Sequence, residues 1–294
     1  QKSGVNWDGT NPVTDEFSHQ AMLELIAMKL DINQSFLTGV FQQPSNNSTA
    51  RQTRGLITAV TTNLQNASTV TPIAYTTATT GVFTVAAGTY VVGETIVLNT
   101  VVTNTEVAVD TPYCIVSTNG TTTFSVSATK GGAAITFAAT GSGTLTAGVT
   151  VTDTLVGGLL QGIFDNGGLS DTETFTLFCN SAVKRALSVA YLKSYGAGYF
   201  VQSRTVGGLA VDTILTDFGT LNVVVDRQIP KHKMLAATLS EVSPVFLDIP
   251  DKGHLFVEPL AKVGAYEQAQ IYGEIGLAYG AERHHGVLTN LAAF

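Results

Sequence analysis

Between Arg54 and Asp153 the chain carries only four charged side chains, Glu94, Glu106, Asp110 and Lys130, in a background of Thr, Ala, Val and Gly. A stretch so poor in charge and so rich in β-branched residues offers no polar face for an exposed helix, and its Val and Thr side chains suit the pleat of a sheet. Short runs at 82–86, 95–102, 113–117, 123–127 and 134–137 are separated by Gly, Asn or Pro and are predicted strands. Five or more such strands imply a small sandwich or barrel, so residues 70–148 read as a separate all-β module.

The rest of the chain is long enough for a sizeable core, and with 44% hydrophobic and only 13% charged residues over 294 positions it reads as folded and strand-rich. No apolar run reaches the roughly eighteen residues of a membrane helix, and residues 1–10 lack the basic cluster and apolar core of a signal peptide. No membrane partner is expected. A formal net charge of −7 argues against gripping nucleic acid through its phosphates. Cys114 and Cys179 have no C-x-x-C spacing and no neighbouring His cluster, which predicts two buried reduced thiols.

Outside the β module the patterns alternate. Thr14 is a plausible N-cap followed by Asp15 and Glu16, and the apolar positions Met22, Leu25, Ile26, Leu30, Phe36, Leu37 and Val40 fit one stripe of a helix over 14–40, with Gly39 as a stop. Residues 42–54 are polar and predict an extended arm or loop. A second helix is expected over 155–164, closed by Gly167 and Gly168, and a third over 181–193, capped by Asn180 or Ser181 with Val183, Leu187, Ala190 and Tyr191 inward. Strands are expected at 175–179, 210–213, 221–225, 245–249 and 270–279, which makes this half α+β.

Sequence patterns for catalysis are sparse. There is no phosphate-binding loop, H-E-x-x-H, G-x-S-x-G or calcium loop. Ser181 and Lys184 have the spacing of an S-x-x-K acyl enzyme, but the companion S-D-N and K-T-G sequences are absent, so Ser181 is read as a helix cap and Lys184 as solvated. Glu282, His284 and His285 gather a carboxylate and two imidazoles, yet neighbours on a strand face opposite ways and cannot easily share a metal. Asn46, Asn47, Asn66 and Asn119 begin N-x-[ST] sequons and are read as loop residues. No catalytic residue, cofactor or metal is expected. Charges cluster toward the C-terminal half, and Lys184, Arg185, Arg227, Glu258 and Lys262 are the candidates for contacts that set register between neighbouring subunits.

Several segments in order resemble one family. They are the acid-started helix over 14–40, Arg51 and Arg54 leading to Thr62 and Asn63, the helix over 155–164 closed by Asn166 and two glycines, and Asn180-Ser181 with Lys184-Arg185. Then come Val211 to Thr213 and Thr216 to Gly219, Val223 to Pro230 around Asp226-Arg227, Glu258 with Lys262 and Gly264, Gln270 to Glu274, and His284-His285-Gly286. Together these are similar to the major capsid proteins of tailed bacteriophages with the Hong Kong ninety-seven (Johnson) fold.

The resemblance implies an α+β capsid subunit with an N-terminal arm and start of an extended loop over 1–69, and peripheral and axial domains over 149–294. The β domain over 70–148 departs from the family pattern as an insertion. It further implies a structural role with no enzyme activity. The subunit would self-assemble into hexamers and pentamers of an icosahedral shell, built in the host cytoplasm and located in the virion. Portal, scaffolding and decoration proteins are the partners implied, with packaged double-stranded DNA nearby but not bound by sequence. The rival readings are an encapsulin-like nanocompartment shell and a phage tail or fibre protein.

Overall fold

The computed structural model describes residues 16–46, 48–68, 70–76, 81–86, 88–102, 106–169, 175–195, 213–261, 264 and 268–292. The expected cap at Thr14 and most of the strand expected at 210–213 lie outside them. The chain divides into two compact units, Gln1–Ala59 with Glu241–Gly280, and Val60–Ser240 with Ala281–Phe294.

Helix α1 (Glu16–Thr38) ends two residues before Val40, because Gly39 turns the chain. The Gly39 N–H bonds to the Ser35 carbonyl at 2.9 Å, and a Cβ at Gly39 would lie 2.4 Å from that oxygen and 2.7 Å from the Thr53 carbonyl. The polar segment then loops out and back, closed where Gln42 and Gln52 exchange backbone hydrogen bonds of 3.2 and 3.1 Å. It recrosses the end of α1 at Gly55, whose N–H donates to the Gly39 carbonyl at 2.8 Å, and enters the one-turn helix α2 (Leu56–Ala59). Two glycines allow this crossing, because either Cβ would strike backbone.

After β1 (Leu64–Asn66) come β2 (Val70–Thr76), β3 (Val82–Val85), β4 (Thr95–Val102), β5 (Pro112–Thr118), β6 (Thr123–Ser127) and β7 (Gly141–Ala147). The last six close an antiparallel barrel in the order β2-β3-β6-β5-β4-β7. Alternation builds its interior: on β3, Phe83 and Val85 point inward while Thr84 faces solvent. Phe83 stacks on Phe124 at 5.6 Å, and Ile96, Leu98, Ile115, Val126 and Leu145 complete the fill. The strand expected at 134–137 is irregular chain instead. Ile135 still donates to the Val126 carbonyl at 2.8 Å, and Phe137 turns inward edge-on to Phe83 at 5.1 Å, so burial of the ring takes the place of a ladder.

Helix α3 (Asp153–Asp165), β8 (Phe175–Cys179), α4 (Ser181–Tyr195), β9 (Thr213–Thr216), β10 (Gly219–Val225) and β11 (Met234–Thr238) follow. Then come a short 3-10 turn (Leu239–Glu241), β12 (Ser243–Phe246), β13 (Phe256–Pro259), β14 (Ala269–Tyr272), β15 (Ile275–Ala278), a second 3-10 turn (Glu282–His284) and β16 (Gly286–Thr289). Five of these strands join β1 in a six-stranded mixed sheet, β1-β16-β11-β8-β10-β9, parallel at β1/β16 and β8/β10 and antiparallel elsewhere. Val156, Leu159, Leu160 and Ile163 of α3 and Val183, Leu187 and Tyr191 of α4 cover one face, packing on Phe175, Leu177, Leu221 and Met234. This core is distinct from that of the barrel.

Helix α3 starts two residues before the expected Leu155, on a cap the sequence reading did not name, while its glycine stop is as expected. The Thr152 hydroxyl accepts from Leu155 N–H at 3.2 Å to start α3, and Gly167, at φ +93°, closes it. At α4 it is Asn180, not Ser181, whose side-chain oxygen accepts the first N–H, that of Ala182, at 3.4 Å. Ser181 is already helical and its hydroxyl donates to Asn180 at 3.1 Å. The strand expected over 270–279 is broken into β14 and β15 at Gly273-Glu274, and that expected at 245–249 runs two residues earlier, as β12.

Candidate functional site

Three segments far apart in sequence meet around the 3-10 turn Glu282–His284. Glu282 Oε2 accepts the Thr61 and Thr62 backbone N–H groups at 2.9 and 3.1 Å, and Oε1 accepts the Thr62 hydroxyl. Burial pushes the Glu282 carboxyl up, but the Thr62 hydroxyl and the Thr61 and Thr62 N–H groups outweigh it and hold the group at about 2. Asn63 Nδ2 donates to the Arg283 carbonyl at 2.5 Å and the His285 carbonyl at 3.0 Å, while its Oδ1 accepts from Asn166 at 2.7 Å. His285 is buried, and its Nδ1 accepts the Thr238 N–H at 3.2 Å. The expectation of a strand through 282–285 is thus corrected: the residues lie on a turn leading into β16, and hydrogen bonding to backbone occupies the carboxylate and one imidazole.

The barrel is attached close by. Ala67 N–H donates to the Thr289 carbonyl at 3.2 Å, Val149 N–H to that of Asn290 at 2.9 Å, and Ala292 N–H back to Val149 at 2.9 Å. At the β4–β5 connection, Asp110 meets His232 Nε2 at 3.0 Å and Lys233 Nζ at 2.5 Å. Burial raises the Asp110 carboxyl, yet the hydrogen bonds and charges of His232 and Lys233 leave it below the usual carboxylate range.

The unit of Gln1–Ala59 and Glu241–Gly280 buries little apolar surface. Leu37, Leu56, Ile57 and Ala59 are its buried hydrophobic side chains among the described residues, whereas Met22 (61%), Ile26 (52%) and Leu30 (53%) on α1 and Val245 (53%) on β12 are exposed. Beside β12 and β15 runs an open groove of about 930 Å³ lined by Phe41, Gln52, Val245, Phe246, Leu247 and Ile275. So much exposed aliphatic surface on one unit marks a surface that associates.

The expected contact residues are spread over several elements. Lys184 and Arg185 lie in the first turns of α4, half-buried and exposed respectively, so Lys184 is not freely solvated. Arg185 lines a cleft with Lys130, Thr152, Asp153 and Val189. Arg227 is exposed in the turn after β10. Glu258 on β13 is paired within its own chain to Lys252, which lowers its carboxyl, and Lys252 also sits 4.9 Å over the Phe256 ring. Lys262 lies outside the described residues. Cys179 is buried, and burial pushes its thiol up to about 11, leaving it unreactive at neutral pH. Sequence reasoning missed Glu282 with Thr61 and Thr62, and Asp110 with His232. The available signal for the second was an isolated acid in a nearly uncharged segment.

The family model described as SU10 major capsid protein matches residues 4–292, nearly the whole chain. The chain belongs to the SU10 major capsid protein family. It is a structural protein of a bacteriophage virion that assembles with copies of itself into the capsid. A mixed helix-and-sheet architecture is compatible with that role, and the nanocompartment and tail-protein readings are not favoured. No curated protein matches the chain. Among the described residues no helix is long and apolar enough to cross a membrane.

Proposed function

We propose that this capsid subunit has the Hong Kong ninety-seven (Johnson) fold. It would comprise an N-terminal arm and extended-loop region over 1–69, an inserted β domain over 70–148, and peripheral and axial domains over 149–294. Its copies tile an icosahedral shell as hexamers and pentamers around double-stranded DNA, and the subunit performs no catalysis. The exposed aliphatic surface of α1 and β12 carries this reading. A unit with so small an interior gains stability by covering that surface with neighbouring copies. The barrel's own interior and its two adjacent attachments to β16 speak for an insertion. Arg185 and Arg227, both exposed, with Lys184, Glu258 and Lys262, are proposed to set register between subunits, and portal, scaffolding and decoration proteins to be further partners.

Negative-stain electron microscopy of the purified protein under assembly conditions tests the proposal. Closed shells with five-fold and six-fold capsomers are expected. Stable monomers or tail-like tubes under every condition would overturn it.

A further inference from the structure

The barrel's few charges have separate uses. Glu94 accepts the Val91 N–H at 3.1 Å within one turn, and Glu106 accepts that of Ala138 at 3.3 Å, joining two connections of the barrel. Asp110 reaches out of the barrel, to His232 and Lys233 in the segment between β10 and β11. Both sides of this contact are stiff. Asp110 N–H donates to the Leu98 carbonyl of β4 at 2.8 Å, and the Tyr113 hydroxyl accepts the Ala108 N–H at 2.8 Å. Opposite, Lys233 N–H donates to the Pro230 carbonyl at 3.0 Å, and the His232 carbonyl accepts Leu291 N–H at 2.9 Å.

The chemistry of the contact is directional. His232 is buried, with Nε2 facing the carboxylate and Nδ1 unpartnered among the described residues. A bare Nε2 would set lone pair against lone pair, so the ring proton belongs on Nε2 and is donated to Asp110. Lys233 supplies the ionic half, its side chain 14% exposed. Asp110 also holds a backbone φ of +58°, a conformation that Asp tolerates better than most residues and that a firm contact can maintain.

Mechanics gives the contact its consequence. The two chain connections, at Ala67 and Val149, both pair with consecutive residues of β16 and its extension. Two tethers side by side leave a body free to rock about the line that joins them. A third contact, made by the β4–β5 connection rather than by either chain end, restrains this freedom. We propose that Asp110, His232 and Lys233 are a latch that fixes the orientation of the barrel on the six-stranded sheet, so that barrel and sheet move as one body.

Hydrogen exchange on the full-length protein tests the latch, comparing the wild type with Asp110→Asn, Lys233→Met and the double variant. Asn tolerates the same backbone conformation, and Lys233→Met removes the ionic half of the latch from the opposite side without touching the barrel. The junction amides of Ala67, Val149 and Ala292 should exchange on the order of tenfold faster in either single variant, and hardly faster again in the double. Barrel amides at Ile115 and Ile135 should keep their protection. Unchanged junction amides in the variants would overturn the latch, as would equal loss of protection inside the barrel, which would make Asp110 a residue of barrel folding.

Discussion

At Glu282 one carboxylate gathers a hydroxyl and two backbone N–H groups from a segment about 220 positions earlier. Its folded-state value of about 2 lies below the ordinary 4.5, so ionised Glu282 contributes stability that is fully present above the ordinary value. That contribution is lost as pH falls from about 4.5 through about 2. Urea midpoints measured across this window should fall with pH in the wild type. In Glu282→Gln the dependence should be shallower, and stability at neutral pH lower by about 1 kcal/mol, since solvent screens so open a group. An identical pH profile in the variant would locate the acid sensitivity elsewhere. Thr62 and Asn63 look like ordinary polar residues in the sequence, and Glu282 stood out only beside His284 and His285. Nothing in a single chain links positions so far apart, so the clasp was not legible even though its members stood in recognisable segments.

Elements were legible where a local signal sufficed and lost where the tertiary structure decided. The bounds of β4 and β6 follow from runs of β-branched and aromatic residues between turns, and α3 from its stripe and its glycines. β11 was missed because Met-Leu-Ala-Ala-Thr has no alternation: it is buried along its whole length, and a buried strand has no polar face to show. β2 contains a proline and β7 is mostly Gly, Ser and Thr, so barrel closure rather than propensity makes them strands. The helix α1 was legible, but its apolar stripe pointed to a core that the folded chain does not provide. Ile26 and Leu30, one turn apart on the same face, are both exposed. Replacing both with Lys should change the thermal midpoint of the unassembled subunit little, since exposed positions are worth within about 0.5 kcal/mol each. The same change should sharply reduce the yield of shells in sedimentation. Normal assembly by the double variant would remove α1 from the contact surface.

For the whole molecule, the question is whether the barrel is a part of the subunit's foundation or an addition to it. The barrel closes on itself with its own aromatic interior, while the core beneath α3 and α4 is made by other residues. Its two ends leave from Ala67 and Val149, which pair with Thr289 and Asn290, adjacent residues of one strand region. Segments flanking a strand on either side lie about 10 Å apart, given about 4.8 Å per neighbour, a gap that three or four residues can span. Replacing residues 70–148 with such a linker should therefore leave a chain that folds, keeps the β1–β16 pairing and still makes shells, although weaker ones. Loss of the barrel would remove the charged partner of Lys233 and leave the buried His232 without its acceptor, so some destabilisation of the segment between β10 and β11 is expected even when assembly succeeds. The Lys233→Met change made in the deletion background should then cost nothing further. A deletion chain that cannot fold at all would mean that the barrel is part of the core's foundation, and that its separate interior disguises a dependence running through the attachments at 289–292.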